Sequence, residues 1–268
     1  MSARKATSSR CVLRCFGVGE GWPCAERRHA SFHYHIGSTR LVIDCGDGLS
    51  GGYRAAGLGG EGVDHLVLSH MHSDHVGGFS MFIQGLWLER RRKPLYIHAP
   101  ASAIPALRAW LKATLLPEEL IGFPIHWNAL QPGLAIECGG CTLTPFPTRH
   151  LDSLKRKLQP AIPAICFEAY SFLIQSPKVR IAHTADIGQV SDLEPLLTEP
   201  LDLLVSELSH VSPGALFRRL RTCTIRRIVW VHLSRRLWKN RQETGRTLVD
   251  ELGTSGARIA RDGDIIRL

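Results

Sequence analysis

Long apolar runs are missing from this chain. No stretch approaches the ~18 consecutive apolar residues that a membrane span requires. The basic opening MSARKATSSRCVLRCFG also lacks the apolar segment of roughly 7 to 15 residues found in a secretory signal. A soluble, cytoplasmic protein with no membrane partner is therefore the expectation. Cysteine is sparse as well: eight in 268 residues is far from the density of a secreted disulfide scaffold, so reduced, buried thiols are expected. Cys138 and Cys141 flank Gly139-Gly140 between strand-like segments, which reads as a two-residue hairpin turn, and no second pair at suitable spacing completes a zinc ribbon. Glycine- or serine-rich linkers are lacking too, so residues 1–268 read as a single domain.

What is present is an ordinary globular balance, 44% hydrophobic and 21% charged. The formal charge of +9 reads as a solvated basic surface, carried by Arg90-Arg91-Arg92-Lys93, Arg218-Arg219 with Arg221, and Arg235-Arg236 through Arg241. Attraction of anionic substrates or nucleic acid is the other reading. No aromatic-interleaved RNA-binding pattern accompanies these clusters. Strand-like segments at 12–18, 31–36, 40–45, 65–70, 94–99, 141–146, 168–174, 178–183, 201–207 and 226–232 alternate with helical stretches at about 75–90, 103–116, 213–222 and 240–252, which places the chain in the α/β class. Ser212 and Pro213 suit the start of the third helix, and Gly253 suits the end of the fourth. HYHIGSTRLVIDCGDG and SFLIQSPKVRIAHTADIG echo one another as strand, turn, strand and acidic loop. Two related halves facing each other would bring Asp44 and Asp186 to a shared edge.

The segment SHMHSDH at 69–75 carries the chemistry. It leaves a buried strand and enters a helix, so His70, His72, Asp74 and His75 can converge from several directions. Imidazole and carboxylate ligands in that density suit zinc, manganese or iron. HMHSDH resembles the HxHxDH signature of the metallo-β-lactamase superfamily. VIDCGDG upstream, Val76-Gly77-Gly78 downstream, His150 in LTPFPTRH, Asp186 in RIAHTADIG and His232 in VWVHLS follow the family's order over roughly residues 12–233.

That resemblance implies an α/β fold of the αββα four-layer sandwich type with a dinuclear site at one edge. By position, His70, His72 and His150 would hold one divalent ion, Asp74, His75 and His232 a second, and Asp186 would bridge them. Zinc is the expected metal, with manganese or iron as alternatives. Asp44 would steady the ligand loop, with Asp47 a weaker candidate. The chemistry implied is hydrolysis by a hydroxide shared between the cations, with Asp74 orienting or deprotonating it and His210, oriented by Glu207 or Ser209, protonating the leaving group.

VHLSRR and LWLERRRKPLYIHAPASAI resemble the ribonuclease Z branch of phosphodiesterases. Two departures stand out. Ser206-Glu207-Leu208-Ser209 occupies the place of the HEAT motif, and no glycine- and proline-rich arm is present. These favour a small phosphodiester or cyclic nucleotide over a dedicated tRNA substrate. A carboxyl ester, thioester or lactone is the alternative substrate, and a non-catalytic binding scaffold the third reading. A homodimer is the assembly that the resemblance allows. The remaining histidines read as structural: His65, His98, His126 and His183 without motif support, and His29, His33 and His35 as one solvated strand face.

Overall fold

The computed structural model of the protein describes residues 11–252 and 256–268; Gly253, expected to end the last helix, lies outside them. In chain order the elements are β1 (Cys11–Gly17), β2 (Ser31–Ile36), β3 (Thr39–Ile43), α1 (Leu49–Ala55), β4 (His65–Val67), α2 (Ser73–Val76), α3 (Phe79–Leu88), β5 (Leu95–Pro100), α4 (Ile104–Ala113), α5 (Glu118–Ile121) and β6 (Ile125–Leu130). They continue with β7 (Ile136–Glu137), β8 (Thr142–Pro147), α6 (Asp152–Leu158), β9 (Tyr170–Gln175), β10 (Arg180–His183), β11 (Leu203–Leu208), α7 (Pro213–Leu220), β12 (Ile228–Leu233), α8 (Arg235–Lys239), α9 (Arg241–Leu252), β13 (Ala257–Ile259) and β14 (Ile265–Arg267). None of these helices is long and apolar enough to cross a membrane.

Among the described residues the strands form two seven-stranded sheets, ordered β14-β1-β2-β3-β4-β5-β6 and β13-β12-β11-β10-β9-β8-β7. Period-two alternation builds the layers. Leu41, Ile43 and Val67 point between the sheets towards Ile181, Leu203, Val205, Val229 and Val231. Their neighbours Val42, Leu66 and Leu68 pack outward under Phe79, Phe82 and Leu107 of the helices, and Ala182, Leu204 and Trp230 pack under Leu216, Phe217 and Leu248 on the opposite side. Each fully buried side chain of this kind stabilises the fold by roughly 1.5–3 kcal/mol relative to exposure. The result is the expected αββα sandwich.

The internal echo appears as matching topology. β2 and β3 pair antiparallel and β3 runs parallel to β4; β9 and β10 pair antiparallel and β10 runs parallel to β11. Asp44 and Asp186 follow the corresponding strands β3 and β10.

Several local expectations need correction. The helix expected over 75–90 is divided into α2 and α3 around Gly77 and Gly78, where a Cβ on Gly78 would sit 2.5 Å from the Gly46 carbonyl oxygen; the close approach of two backbones fixes the helix entry. β4 ends at Val67 rather than residue 70, because Ser69 turns its N–H to the Asp44 carboxylate at 2.8 Å. Ser212 precedes α7 but makes no side-chain capping bond. The two short strands of ARIARDGDIIRL part company: β13 joins β12, whereas β14 joins β1 in the other sheet. His33 does not face solvent, because α1 covers that side of β2; it is buried beside Phe16 and Tyr53 and bonded to the Gly62 carbonyl. Arg91 is likewise turned inward, donating to the carbonyls of Gly60, Lys93 and Pro94. The Cys138–Cys141 turn forms as read, with Gly139 at φ +77° and the Cys138 N–H donating to the Cys141 carbonyl. All eight cysteines are free thiols.

Candidate metal centre

The parallel strands β3, β4, β10, β11 and β12 deliver their C-terminal ends to one edge of the sandwich, where irregular backbone replaces the ladder. Three non-glycine residues there, Asp44 (φ +60°), Ala185 (φ +45°) and His232 (φ +50°), adopt the left-handed conformation. Such backbone is sparsely populated because it crowds Cβ, and the surrounding structure has to hold it. It lets the chain turn sharply as it leaves each strand, so that Asp186 and His232 project into the same volume as the β4–α2 turn.

In that volume His72 Nδ1 lies 3.1 Å from both His70 Nε2 and His150 Nε2. The rings are steeply inclined to one another, 73–87° apart, with centroids separated by 4.8–5.0 Å. Three nitrogens therefore converge on a common point rather than pairing off. Asp186 Oδ2 sits 3.5 Å from His150 Nε2, 3.9 Å from His70 Nε2 and 3.4 Å from His75 Nε2, while its Oδ1 is 3.6 Å from His232 Nε2. On the second side, Asp74 Oδ2 lies 3.0 Å from His232 Nε2 and 3.5 Å from His75 Nε2. Ligand atoms of His70, His72, His150 and Asp186 fall within 4.8 Å of one another, as do those of Asp74, His75 and His232.

This donor set fits two divalent cations. His75 Nε2 and Asp186 Oδ1 are buried with no hydrogen-bond partner, an arrangement that costs about 1–3 kcal/mol per group unless something else satisfies it. Burial pushes the pKa values of His70 and His72 down and that of His150 to about 3, so these imidazoles are neutral and offer lone pairs. Burial alone would raise Asp74 and Asp186, but His232 and His75 hold both carboxylates below the usual range and keep them ionised. Burial also works against protonation of His75, and there the carboxylates of Asp186 and Asp44 prevail and raise it well above its ordinary value.

The support beneath these residues is specific. Asp44 is fully buried and its Oδ2 accepts from His75 Nδ1 at 2.6 Å and from the Ser69 hydroxyl at 2.9 Å. It thereby fixes the tautomer that leaves His75 Nε2 facing the centre. Asp47, the weaker candidate, is exposed, and only its backbone carbonyl reaches this region, accepting from the His29 N–H. Glu207, fully buried, accepts the N–H groups of Ile187, Ser209 and His210 and also His210 Nδ1 at 3.0 Å. The His210 ring lies 4.5 Å from that of His150 and 5.4 Å from that of His232. Burial would lower its pKa, but the Glu207 bond and the Asp186 charge carry it up to about 9. Glu207 rather than Ser209 orients it.

Every ligand candidate read from the sequence thus meets at one edge, and His210 joins them. The loop between β1 and β2 was not legible: a Cβ on Gly21 would stand 3.6 Å from Asp74 Oδ2. Its only sequence signal is the recurrence of Gly17, Gly19 and Gly21 between two strands. A second cluster, His65, His98 and Cys138, has a different geometry. His65 Nδ1 and His98 Nε2 are 3.0 Å apart and their nearly coplanar rings have centroids 5.3 Å apart. That is the nitrogen separation plus one ring radius on each side, so the two nitrogens aim at each other and share a proton.

Comparison with known proteins bears on what such a centre belongs to. Residues 39–233 match the family model described as the beta-lactamase superfamily domain. Ribonuclease Z of Bradyrhizobium diazoefficiens is 29% identical over 169 residues, covering 63% of this chain and 51% of that protein. Ribonuclease Z of Halorubrum lacusprofundi is 33% identical over 135 residues, covering 50% of this chain and 42% of that protein. The chain spans about half the length of the curated relatives it matches. Among solved structures, the metallo-beta-lactamase fold protein YhfI from Bacillus subtilis superposes with a TM-score of 0.71 at 20% identity, over 97% of this chain and 100% of that one. Human tRNase Z, short form, gives 0.71 at 15% identity over 95% and 98%. At these identities the structural matches speak to the fold.

Proposed function

The chain belongs to the metallo-β-lactamase superfamily, in its ribonuclease Z-like branch, and from that premise we propose that it is a metal-dependent hydrolase of a phosphodiester, nucleotide or RNA-like in character. The observation that carries this reading is Asp186, whose Oδ2 lies beside His70, His75 and His150 and whose Oδ1 lies beside His232, so that one carboxylate is within reach of both groups of imidazoles. Two divalent ions held by His70, His72, His150 and Asp186 on one side, and by Asp74, His75, His232 and Asp186 on the other, would acidify a water and polarise the phosphoryl oxygen.

The protein's own groups account for the remaining work. Asp74 is ionised, and its carboxylate at the edge of the centre accepts a hydrogen bond from the attacking water and orients it. His210, with Nδ1 fastened to Glu207 and its ring 4.5 Å from that of His150, is the proton donor of this proposal, at the rim of the centre. There it gives a proton to the oxygen that leaves phosphorus as the new P–O bond forms and the old one breaks. The phosphomonoester and the alcohol are then released.

The test is a parallel screen of protein reconstituted with zinc or with manganese against a chromogenic phosphodiester, a cyclic nucleotide, a thioester and a lactone. The phosphodiesters should be turned over preferentially. A preference of several orders of magnitude for the carbonyl substrates would overturn the proposal in favour of an esterase or lactonase.

A further inference from the structure

Trp22 is a large aromatic side chain left 54% exposed, and it is one residue, about 3.8 Å of chain, from Gly21, which abuts the Asp74 carboxylate. The Arg235 guanidinium lies over the indole at 4.1 Å from the ring centre. Arg235 itself is exposed, with no carboxylate among the described residues paired to it, and stands three residues beyond His232.

The loop that carries Trp22 is pinned rather than loose. The Trp22 N–H donates to Glu20 Oε2 at 3.1 Å, His29 Nδ1 donates to the Glu20 carbonyl at 3.0 Å, and Glu20 faces Arg27 at 3.7 Å. Arg27 is buried and donates to the Leu233 carbonyl, and Asp262 accepts the N–H groups of Val18 and Arg28. A fixed indole with one face under a guanidinium and the rest open offers stacking area at little ordering cost. An arginine beside it offers paired N–H donors to a phosphate.

We propose that Trp22 and Arg235 form a nucleotide subsite at the mouth of the metal centre, the base stacking on the open indole surface and a phosphate bonding to the guanidinium. This rests on the phosphodiester reading, and it assigns that substrate a nucleobase. Stacking of one base on an aromatic side chain contributes about tenfold or more in affinity.

Calorimetric titration of the metal-loaded protein with adenosine 5′-monophosphate and with ribose 5-phosphate isolates the base. The nucleotide should bind about tenfold more tightly than the sugar phosphate. Trp22→Ala should abolish that gap, Trp22→Tyr should retain most of it, and Arg235→Gln should weaken both ligands alike. In turnover assays Trp22→Ala should raise KM for a nucleoside phosphodiester without lowering kcat. Equal binding of the two ligands to the unaltered protein, or a gap that survives Trp22→Ala, overturns the subsite. A gap that behaves as expected in a protein that hydrolyses no phosphodiester would uphold the subsite and remove the hydrolytic reading.

Discussion

Replacing Asp44 by alanine tests whether the ligand loop depends on one buried carboxylate. Three donors converge on it, the Ser69 N–H, the Ser69 hydroxyl and His75 Nδ1. The hydroxyl can turn instead to His70 Nδ1, 3.0 Å away, so two donors are orphaned, and burial denies them water. Each orphan costs about 1–3 kcal/mol. Alanine at φ +60° adds about 1 kcal/mol that aspartate largely avoids. The expected loss is about 3–7 kcal/mol, or roughly 6–28 °C in Tm for a chain of this size. Asp44→Asn keeps an acceptor oxygen and tolerates the backbone, and should lose about half as much. Urea denaturation and calorimetry in the presence of a chelator isolate this effect from bound metal. With metal restored, both variants should bind it about 10–100-fold more weakly. An Asp44→Ala protein within about 1 kcal/mol of the parent would refute the reasoning.

Burial pushes His33 down to about 4 from an ordinary 6.5. The unfolded chain therefore takes up this proton first as acid is added, and the contribution of neutral His33 is full above pH 6.5 and lost as pH falls towards 4. Between pH 7.5 and pH 5 the loss is about 2 kcal/mol; His33→Phe should flatten that part of the stability profile, and an unchanged slope would contradict the assignment. A Cβ on Gly188 would collide with the Arg149 backbone and stand 2.7 Å from the His150 N. Gly188→Ala should consequently displace His150 and lower affinity for one of the two metal ions about tenfold or more, read by competition with a chromogenic chelator, and equal affinities would contradict it.

The first ligands were legible because metal chemistry restricts residue type and because HLVLSHMHSDH crowds four of them at the end of an apolar strand. SHMHSDH stood out by its density of ligand-type residues, whereas His150, Asp186 and His232 were singled out by the order of landmarks that the family resemblance supplies. The α/β class was legible in the alternation of apolar strands with helical stretches, while the four layers came from the resemblance. What escaped depended on neighbours distant in sequence. LSGGYRA carries two glycines and reads poorly as a helix, yet α1 forms because Leu49 and Tyr53 are buried and Gly52 permits close approach to Phe16. Because α1 was not foreseen, the face of β2 that it covers was read as solvated. Arg91 looked like its neighbours in a basic run, and only the carbonyls of Gly60, Lys93 and Pro94 distinguish it. The strands at 257–259 and 265–267 are each three residues long, and nothing local tells which sheet each one joins. Trp22 belongs to no motif, and the place of its neighbour Gly21 beside Asp74 depends on how residues 18–28 are tied to Asp262 and Leu233.

Metal content measured by plasma mass spectrometry on the reconstituted protein tests the central claim most directly. The unaltered chain should retain about two divalent ions, His72→Ala and His232→Ala about one each, and Asp186→Ala close to none, with hydrolysis falling in step. A chain that retains no divalent metal after reconstitution, or one stripped by chelator that hydrolyses its substrate at full rate, would contradict the account.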